Sequence, residues 1–463
     1  VDAFGSLSHM LIEYVLIHYH LPIRIISYIK SIYSKLRGIV KTKNWESDII
    51  NFLKGAFQGD PFSGVIFLIA FNPLIEHIKK YKESQGYAIQ VENNQGTNKT
   101  KIITTPFADD FNLVSKDKKL HQNLITEIEA KAKDMGFQFK PNKCRTLSIC
   151  GGKPTNVTFV LTDPKNNNIK VPMETVHNKP HKFLGSIVTY TNTPKEYFQH
   201  FYDVIKEKLS NIDQSLVRGE HKLAIYERHA LPSLRYHMSI HDMHETHLTE
   251  LDNIAKKYLK KWLNFPTRGV TAAGIFHPYL LNVKQPSQIY HEGHTGNLAL
   301  MKMKGDQTVQ ICIESKLERE SKWVKKSSTI VKSNKTIAQL AANGTIPQSG
   351  IGTTKKSMNT VKNAIKRSIK EDVLDKWNNK VKQLTLQGEF TQLLMEEQSS
   401  VTWQSIIRKM PRNVMSFAAR LSTNSLATQS NLVRWGKRKM GSCPLCSNNN
   451  ATLSHIFNIF PVS

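Results

Sequence analysis

Apolar residues recur at three- and four-residue spacing over two stretches near the start of the chain, which predicts two helices. Pro22 predicts the break between them, because proline has no N–H to donate within a helix. The predicted buried positions are Leu11, Tyr14 and Val15 before the break and Ile25, Tyr28, Ile29, Ile32 and Leu36 after it. A Gly- and Pro-containing turn at residues 55–63 precedes an apolar run from Val65 to Ile78, which predicts a buried helix.

The next segment predicts two short strands around an acidic turn. Ile102–Phe107 and Phe111–Val114 flank Asp109 and Asp110, and residues 93–101 form a predicted polar turn before them. Further alternating segments at residues 158–161 and 183–190 also predict strands.

An amphipathic helix is predicted after the second of these strands. Gly136 stands where a C-terminal helix cap belongs. The predicted buried face carries Leu120, Leu124, Ile128 and Ala132.

The second half of the chain is mainly helical by its pattern. Residues 194–263 are helical and basic, and residues 363–435 form a second helical region. Residues 325–362 are rich in Lys, Ser, Thr, Gly and Asn with little periodicity, which predicts a linker or long loop. A short tail with cysteine and histidine follows.

The charge balance points to a polyanionic partner. The chain has 463 residues, 40% of them hydrophobic, and 64 Lys and Arg against 37 Asp and Glu give a formal net charge of +27. Nucleic acid is the commonest partner of such a surface, and a solvated basic surface is the alternative. Five cysteines are an odd and sparse set, typical of a reducing compartment. No secretory signal or membrane-spanning run is visible, so we expect a nuclear or cytoplasmic protein without a membrane partner.

The paired carboxylates of Asp109 and Asp110 are the sharpest chemical feature. Phosphoryl transfer uses such groups to hold Mg²⁺ ions that stabilise the attacking and leaving oxygens. An isolated Asp-Asp pair is usually only a turn. The pair therefore indicates catalysis only when other motifs of a polymerase accompany it.

Four further segments accompany the acidic pair in a fixed order. They are Ala3-Phe4-Gly5-Ser6 with His9, residues 54–63, residues 136–143, and Phe183-Leu184-Gly185. Together with Phe107-Ala108-Asp109-Asp110 they resemble the motifs of non-LTR (LINE-type) retrotransposon reverse transcriptases, most closely those of elements that carry a restriction-like endonuclease. The resemblance implies RNA-directed DNA synthesis with Mg²⁺, dNTPs, an RNA template and a DNA primer or target DNA.

The resemblance also implies a role for each site residue. Asp109 and Asp110 would hold the catalytic metals, and Phe4, Gln58 and Gly59 would contact the incoming nucleotide. Lys143 would lie near the departing pyrophosphate. The primer grip would consist of Phe183, Leu184 and Gly185. The alternatives are plainer: core aromatics for Phe4 and Phe183, a turn for residues 58–61, and a surface lysine for Lys143.

One expected carboxylate is missing from its position in the resemblance. The first motif should carry an Asp four residues before Ala3, whereas Asp2 directly precedes Ala3. A shift of three residues moves a ligand roughly 10 Å along a strand. We therefore expect an N-terminally truncated chain that does not polymerise as written. A non-catalytic nucleic-acid-binding remnant on the same scaffold is the alternative.

The tail has the spacing of a zinc site. Cys443, Cys446 and His455 are in place, but the resemblance expects a fourth ligand where Phe460 stands. Zinc binding and a plain packing role for these residues both stay open, and no endonuclease activity is expected before Ser463. The dense histidines at residues 237–247 lack the spacing of a zinc-protease helix.

The expected architecture follows from the pattern and the resemblance together. It is an α/β (α+β) right-hand polymerase palm, N-terminally truncated, followed by a mainly α thumb and a C-terminal helical region. The expected divisions are a partial palm without fingers (1–192), a helical thumb (193–300), a basic extension and linker (301–362), a helical region (363–436) and an incomplete zinc-knuckle-like tail (437–463).

Overall fold

A computed structural model describes residues 3–57, 59–93, 96–166, 168–177, 180–191, 193–266, 270–323, 328–347, 354–396, 409–446 and 448–459. The chain divides into two units, Val1–Asn192 with Ile311–Ser315, and Thr193–Gln310 with Lys316–Ser463. None of the described helices combines the length and the apolar character that crossing a membrane requires.

The first unit mixes helices with short strand pairs. Its helices are α1 (Ala3–Ser6), α2 (His9–His18), α3 (Ile23–Ser34), α4 (Ser63–Lys79), α5 (Lys82–Gln85) and α6 (Lys118–Asp134). Its strands are β1 (Arg37–Gly38), β2 (Ile50–Asn51), β3 (Tyr87–Asn93), β4 (Gly96–Ile102), β5 (Thr104–Phe107), β6 (Asp110–Leu113), β7 (Arg145–Thr146), β8 (Ile149–Cys150), β9 (Lys153–Pro154), β10 (Val160–Thr162), β11 (Lys170–Pro172), β12 (Glu174–Thr175), β13 (His181–Phe183) and β14 (Ser186–Val188). The described strands pair two by two: β7 with β12 is parallel, and the other pairs are antiparallel.

Helix α4 forms the centre of this unit, and the predicted buried helix is confirmed. Its buried face includes Phe67, Phe71, Leu74 and Ile78, and it packs against α2 and α6. Because these residues recur at three- and four-residue spacing, they lie on one side of the helix.

The predicted faces of α2 and α3 are partly wrong. Both helices and the break near Pro22 are confirmed, but Tyr14, Ile25 and Tyr28 are exposed. The buried positions are Ile12, Val15 and Leu16 in α2 and Ile26, Ile29 and Tyr33 in α3. Both helices are apolar on more than one side, so spacing alone did not distinguish the packed face from the exposed one.

The predicted polar turn at residues 93–101 is also wrong. Most of it is strand β4, which pairs with β3 from Tyr87 opposite Ile102 to Asn93 opposite Gly96. Strand β4 is polar and largely exposed, so it has no apolar alternation to reveal it.

The second unit is helical. Its helices are α7 (Pro194–Gln214), α8 (Gly219–Ile225), α9 (Leu231–Ile240), α10 (Glu245–Trp262), α11 (Ala273–Phe276), α12 (Pro286–Met303), α13 (Gln307–Trp323), α14 (Thr329–Ala342), α15 (Lys355–Lys382), α16 (Glu389–Glu396), α17 (Arg412–Leu421), α18 (Gln429–Arg434) and α19 (Leu453–Ile459). A π-helical turn at Tyr226–Ala230 joins α8 to α9. Helix α7 begins with a capping box of Thr193 and Glu196.

The prediction of a linker or long loop at residues 325–362 is wrong, because Thr329–Ala342 form helix α14. Its buried positions include Thr329 and Ser333 rather than apolar residues alone. The Thr329 hydroxyl lies 2.8 Å from the Tyr290 hydroxyl, and the Ser333 hydroxyl lies 3.1 Å from Nδ1 of His294. A helix that packs through hydrogen-bonded hydroxyl groups gives a weak hydrophobic period.

The histidines at residues 237–247 act as packing groups. His241 stacks on Tyr197 with ring centroids 3.6 Å apart, and His247 stacks on Phe198 at 4.4 Å. Burial lowers the pKa of His241 to about 4. Among the described residues, the group suited to a metal ion does not include these histidines.

His277 joins α11 to α15 through a fully buried imidazole. Its Nε2 lies 3.0 Å from Oδ1 of Asn378, and its Nδ1 accepts the N–H of Tyr279 at 3.1 Å. Both ring nitrogens are therefore satisfied in the neutral form. Burial lowers the pKa of His277 to about 4.

We predict that His277 makes the second unit less stable in acid. The folded pKa lies below the ordinary value of about 6.5, so the unfolded chain binds more protons between those pH values. The free energy of unfolding should fall as the pH is lowered from about 6.5 towards about 4. In His277→Gln this fall should be smaller. Denaturant titrations across the range would measure it, with pH 7.5 and 8.5 as references; equal slopes in both proteins would disprove the role of His277.

Candidate active site

The acidic pair lies at the tip of the β5–β6 hairpin, as predicted. Phe107 pairs with Asp110, so the turn consists of Ala108 and Asp109. Ala108 has φ 53°, the left-handed conformation that a type II′ turn needs at its first position and that usually belongs to glycine. Asp109 and Asp110 are both exposed. The turn therefore holds two carboxylates at a fixed and accessible place.

Pro106 is accommodated inside this hairpin rather than ending it. It pairs with Phe111, next to the closing pair, at a position where antiparallel strands exchange no hydrogen bonds. One residue further on, the N–H of Thr105 donates to the side-chain Oδ1 of Asn112 at 2.9 Å. The strand end is thus paired, with a local distortion at Thr105.

Phe111 attaches the hairpin to the core. Its ring lies 6.1 Å from Phe71 of α4 and 5.8 Å from Phe139, measured between centroids. Phe71 in turn contacts Phe137 at 5.4 Å, nearly edge to face. Such aromatic pairs contribute about 0.5–1.5 kcal/mol beyond their area of burial.

The first and second motifs meet through their backbones. The N–H of Gly55 donates to the carbonyl of Leu7 at 2.7 Å, and the N–H of Ala56 donates to that of Phe4 at 2.8 Å. Gly55 has φ 97°, and a Cβ there would lie 3.2 Å from Cα of Gly5. Glycine is therefore required for the close approach of the two segments.

Phe4 stacks on Phe67 of α4, with centroids 4.2 Å apart and planes 16° from parallel. Its ring is half-buried, so this core contact agrees with the plainer alternative and leaves part of the ring accessible. Gly59 has φ 104° and follows in the same segment. Asp2 and Gln58 lie outside the described residues.

Gly136 ends α6 with the predicted cap. The N–H of Phe137 donates to the carbonyl of Ala132 at 2.8 Å, and the N–H of Gly136 donates to that of Lys133 at 2.9 Å. This pair of bonds is a Schellman motif, which needs a left-handed residue, and Gly136 has φ 82°. The cap directs Phe137 back onto α4.

Lys143 ends a short 3₁₀ turn, Pro141–Lys143, and is exposed. Within the described residues its amine makes no hydrogen bond or ion pair with Asp109 or Asp110. The structure therefore places Lys143 at the end of the fourth motif without joining it to the acidic pair.

The predicted primer grip is a second tight hairpin. Phe183 pairs with Ser186, and the turn residues Leu184 and Gly185 have φ 47° and 78°, as in a type I′ turn. Burial and then the charge of Arg145 lower the pKa of His181, whereas the negative charge of Asp110 acts in the opposite direction. His181 is thus close enough to interact electrostatically with the acidic hairpin.

Sequence reasoning missed His181 and Arg145. Arg145 is held by Glu174 at 2.7 Å and donates to the carbonyls of Asn142 and Cys144, both at 2.8 Å. Arg145 lies two residues beyond the fourth motif, and this position was the signal that the sequence offered. The parallel pairing that brings Glu174 to Arg145 is long-range and leaves no local pattern.

The Cys/His tail forms a second candidate centre. The ligand atoms of Cys443, Cys446 and His455 lie within 4.8 Å of one another, and Sγ of Cys446 is 3.2 Å from Nε2 of His455. The backbone N–H groups of Leu445 and then Cys446 lower the pKa of the Cys443 thiol to about 7. Two sulfurs and an imidazole are donors that zinc prefers, so these residues fit it. Phe460 lies outside the described residues.

Comparison with known proteins defines the class of this fold and site. Residues 1–188 match the family of reverse transcriptases (RNA-dependent DNA polymerases), which implies a palm-type polymerase fold. The first unit is therefore similar to a reverse transcriptase domain over nearly its whole length.

Three relatives define the branch of the family. They are retrovirus-related Pol polyproteins of R2 retrotransposable elements: from Nasonia vitripennis (26% identity, 59% of this chain, 25% of the relative), Bradysia coprophila (22%, 58%, 29%) and Drosophila melanogaster (23%, 57%, 24%). The likeness covers more of the chain than the 188 residues of the family match, so it extends into the second unit. Over this part of its length the chain is similar to the reverse transcriptases of non-LTR retrotransposons. It spans about a quarter of the length of these relatives.

We predict that Gly136→Ala destabilises the first unit by about 1 kcal/mol, because a side chain strains the left-handed backbone conformation at this position. The nearest atom to an added Cβ is 3.9 Å away, so steric contact is not the cause. Gly64 in α4 is the matched control: it has equal room but no positive φ, and Gly64→Ala should stabilise by about 0.5–1 kcal/mol. Chemical denaturation would measure both, and equal effects would contradict the prediction.

Proposed function

We propose, against the expectation of inactivity from the missing first-motif Asp, that this chain acts as an RNA-directed DNA polymerase whose catalytic site is assembled around the β5–β6 hairpin. The observation that carries the proposal is the convergence of four motifs on α4. Phe4 stacks on Phe67, the segment at Gly55 bonds to the segment at Phe4, and Phe111 and Phe137 both contact Phe71. Segments separated by up to 133 residues therefore share one support.

The acidic pair is suited to a hard cation. Asp109 and Asp110 are accessible carboxylates on a rigid tip, and carboxylate oxygens are the ligands that Mg²⁺ prefers. When bound, Mg²⁺ would stabilise the charge that develops during phosphoryl transfer. The contribution of the chain is to keep the two carboxylates together and to hold them against the core through Phe111.

The remaining roles follow from the positions of the motifs. The exposed edge of Phe4, together with Gln58 and Gly59, would contact the sugar and base of the incoming dNTP. Lys143 would neutralise the departing pyrophosphate. The proposed primer grip of Phe183, Leu184 and Gly185 would hold the DNA primer end next to the β5–β6 hairpin. This position is supported by the charge of Asp110 in the β5–β6 hairpin, which acts on the pKa of His181 in the β13–β14 hairpin.

The second unit would extend the grip on nucleic acid. We assign residues 193–300 as the thumb, residues 301–362 as a basic extension and residues 363–436 as a further helical region. In the tail, Cys443, Cys446 and His455 would hold Zn²⁺ as a structural ion. The RNA template and the DNA primer or target DNA are the expected partners, in keeping with the net charge of +27.

The test is primer extension on an RNA template with Mg²⁺ and dNTPs. Asp109→Asn should reduce extension by at least ~10²-fold, the scale of losing one main electrostatic stabiliser of the transition state. Asp48→Asn is the control, because Asp48 is also an exposed carboxylate and lies between β1 and β2, outside the five motifs.

Extension that is lost only in Asp109→Asn would support the polymerase and contradict the sequence-based expectation of inactivity. No extension by any of the three proteins, with salt-sensitive RNA binding retained, would overturn the polymerase proposal for this chain. That outcome would favour the non-catalytic nucleic-acid-binding function.

A further inference from the structure

A cleft in the second unit has no part in the polymerase site. It has a volume of about 510 Å³ and is lined by Asn264, Asn413, Ser416, Phe417, Arg420 and Leu426. Four of these residues belong to α17 at positions i, i+3, i+4 and i+7, so they form one face of that helix. The cleft thus lies between one face of α17, the turn after α10 and the segment after α17.

The two faces of α17 have different chemistry. Met415, Ala418 and Ala419 are buried in the hydrophobic core of the unit. The cleft face instead carries an amide, a hydroxyl, a guanidinium and an aromatic ring. A face that only filled the core would be apolar, because burying polar groups without partners costs free energy. The composition of this face therefore indicates a ligand with both a flat apolar part and a polar part.

Arg420 gives the strongest indication of the polar part. Its Nε is buried and has no hydrogen-bond partner among the described residues. A buried guanidinium donor without an acceptor is rare, because it has lost its water without a replacement. A phosphate oxygen is the acceptor that arginine matches best in geometry and charge.

Phe417 supplies the flat apolar part. It lies one helical turn before Arg420 and is 47% exposed, although its helix is otherwise well packed. An accessible aromatic ring beside an arginine is the pattern with which proteins bind single-stranded nucleic acid: the base stacks on the ring and the backbone phosphate meets the cation. Asn264 and Asn413 add amide groups that both donate and accept at the same cleft.

The positive charge of the segment that carries the cleft favours the same kind of ligand. Residues 409–446 contain seven Lys and Arg and neither Asp nor Glu. Arg434 and Arg438 lie on or just after α18, where they donate to the carbonyl of Asn424 at 3.4 Å and to Oε1 of Gln429 at 3.0 Å. The segment that carries most of the cleft lining therefore offers a bound strand further positive charge and no carboxylate of its own.

We propose that this cleft binds one nucleotide of a single-stranded nucleic acid, with the base stacked on Phe417 and the phosphate bound by Arg420. The site is separate from the acidic hairpin and requires no metal ion. It would hold an unpaired strand in the second unit while the first unit handles the primer and template. Duplex DNA would not fit, because its bases are already stacked on each other.

The test measures binding of the full chain to a fluorescent single-stranded 12-nucleotide oligonucleotide in EDTA, where no metal site contributes. Arg420→Gln should weaken binding at least fivefold more than Arg434→Gln. Both changes remove one positive charge from the same region, so a purely electrostatic surface would respond equally to both. Phe417→Leu should weaken single-strand binding about fivefold or more and leave binding of the matching duplex unchanged.

A photocrosslink identifies the site directly. An oligonucleotide with 5-iodouridine should crosslink to the peptide containing residues 413–420, and Phe417→Leu should abolish that crosslink. Asn413→Asp provides a second variant at an exposed position, where a new carboxylate should repel the strand without affecting folding. The proposal would be overturned if Arg420→Gln and Arg434→Gln had equal effects, or if the crosslink formed elsewhere. It would also be overturned if poly-glutamate displaced the strand as readily as unlabelled oligonucleotide does. None of these outcomes depends on whether Asp109 supports polymerisation.

Discussion

The aromatic side of α4 is the constraint on which the first unit depends. Phe67 and Phe71 are four residues apart, so their rings stand one above the other on the same side of the helix. Phe4 packs on the first ring, and Phe111 and Phe137 pack on the second. Removing a buried ring of this kind typically costs about 3–5 kcal/mol. Here it would also release the segments that carry the acidic pair and the first motif.

Two tight turns form the tips of the hairpins that carry residues with proposed roles. Ala108 and Leu184 both adopt the left-handed conformation, which costs a residue with a side chain roughly 1–2 kcal/mol. Such strain persists where the surroundings hold the backbone in place, and it is common at functional sites. In both hairpins the strained residue stands directly beside a residue with a proposed role, Asp109 in one and Gly185 in the other.

Local pattern predicted the elements better than their contacts. The periodicity of residues 65–78 and the glycine at position 136 predicted α4 and the end of α6, because helix packing and capping depend on residues close in sequence. The packed side of α3 was wrong because the helix is apolar on two sides, and α14 was missed because hydroxyl groups replace apolar ones at its buried positions. The interaction of His181 with Asp110 joins residues 71 positions apart, and no local pattern reports it.

Both units have groups suited to binding a polyanion, but the groups differ between the units. The first unit places carboxylates on a hairpin, where a cation would mediate the contact. The second unit offers Arg420 and Phe417 directly. Two exposed carboxylates thus stand side by side at one hairpin tip in a chain whose net charge is +27.

The central claim is that motifs distant in sequence surround one metal site. It is tested most directly by replacing Mg²⁺ with Fe²⁺ and mapping where hydroxyl radicals formed at the ion cut the backbone. The account predicts cuts in two separate segments, the β5–β6 hairpin and the β13–β14 hairpin, and the loss of both in Asp109→Asn. Cuts confined to one of these hairpins, or a pattern unchanged by Asp109→Asn, would contradict it.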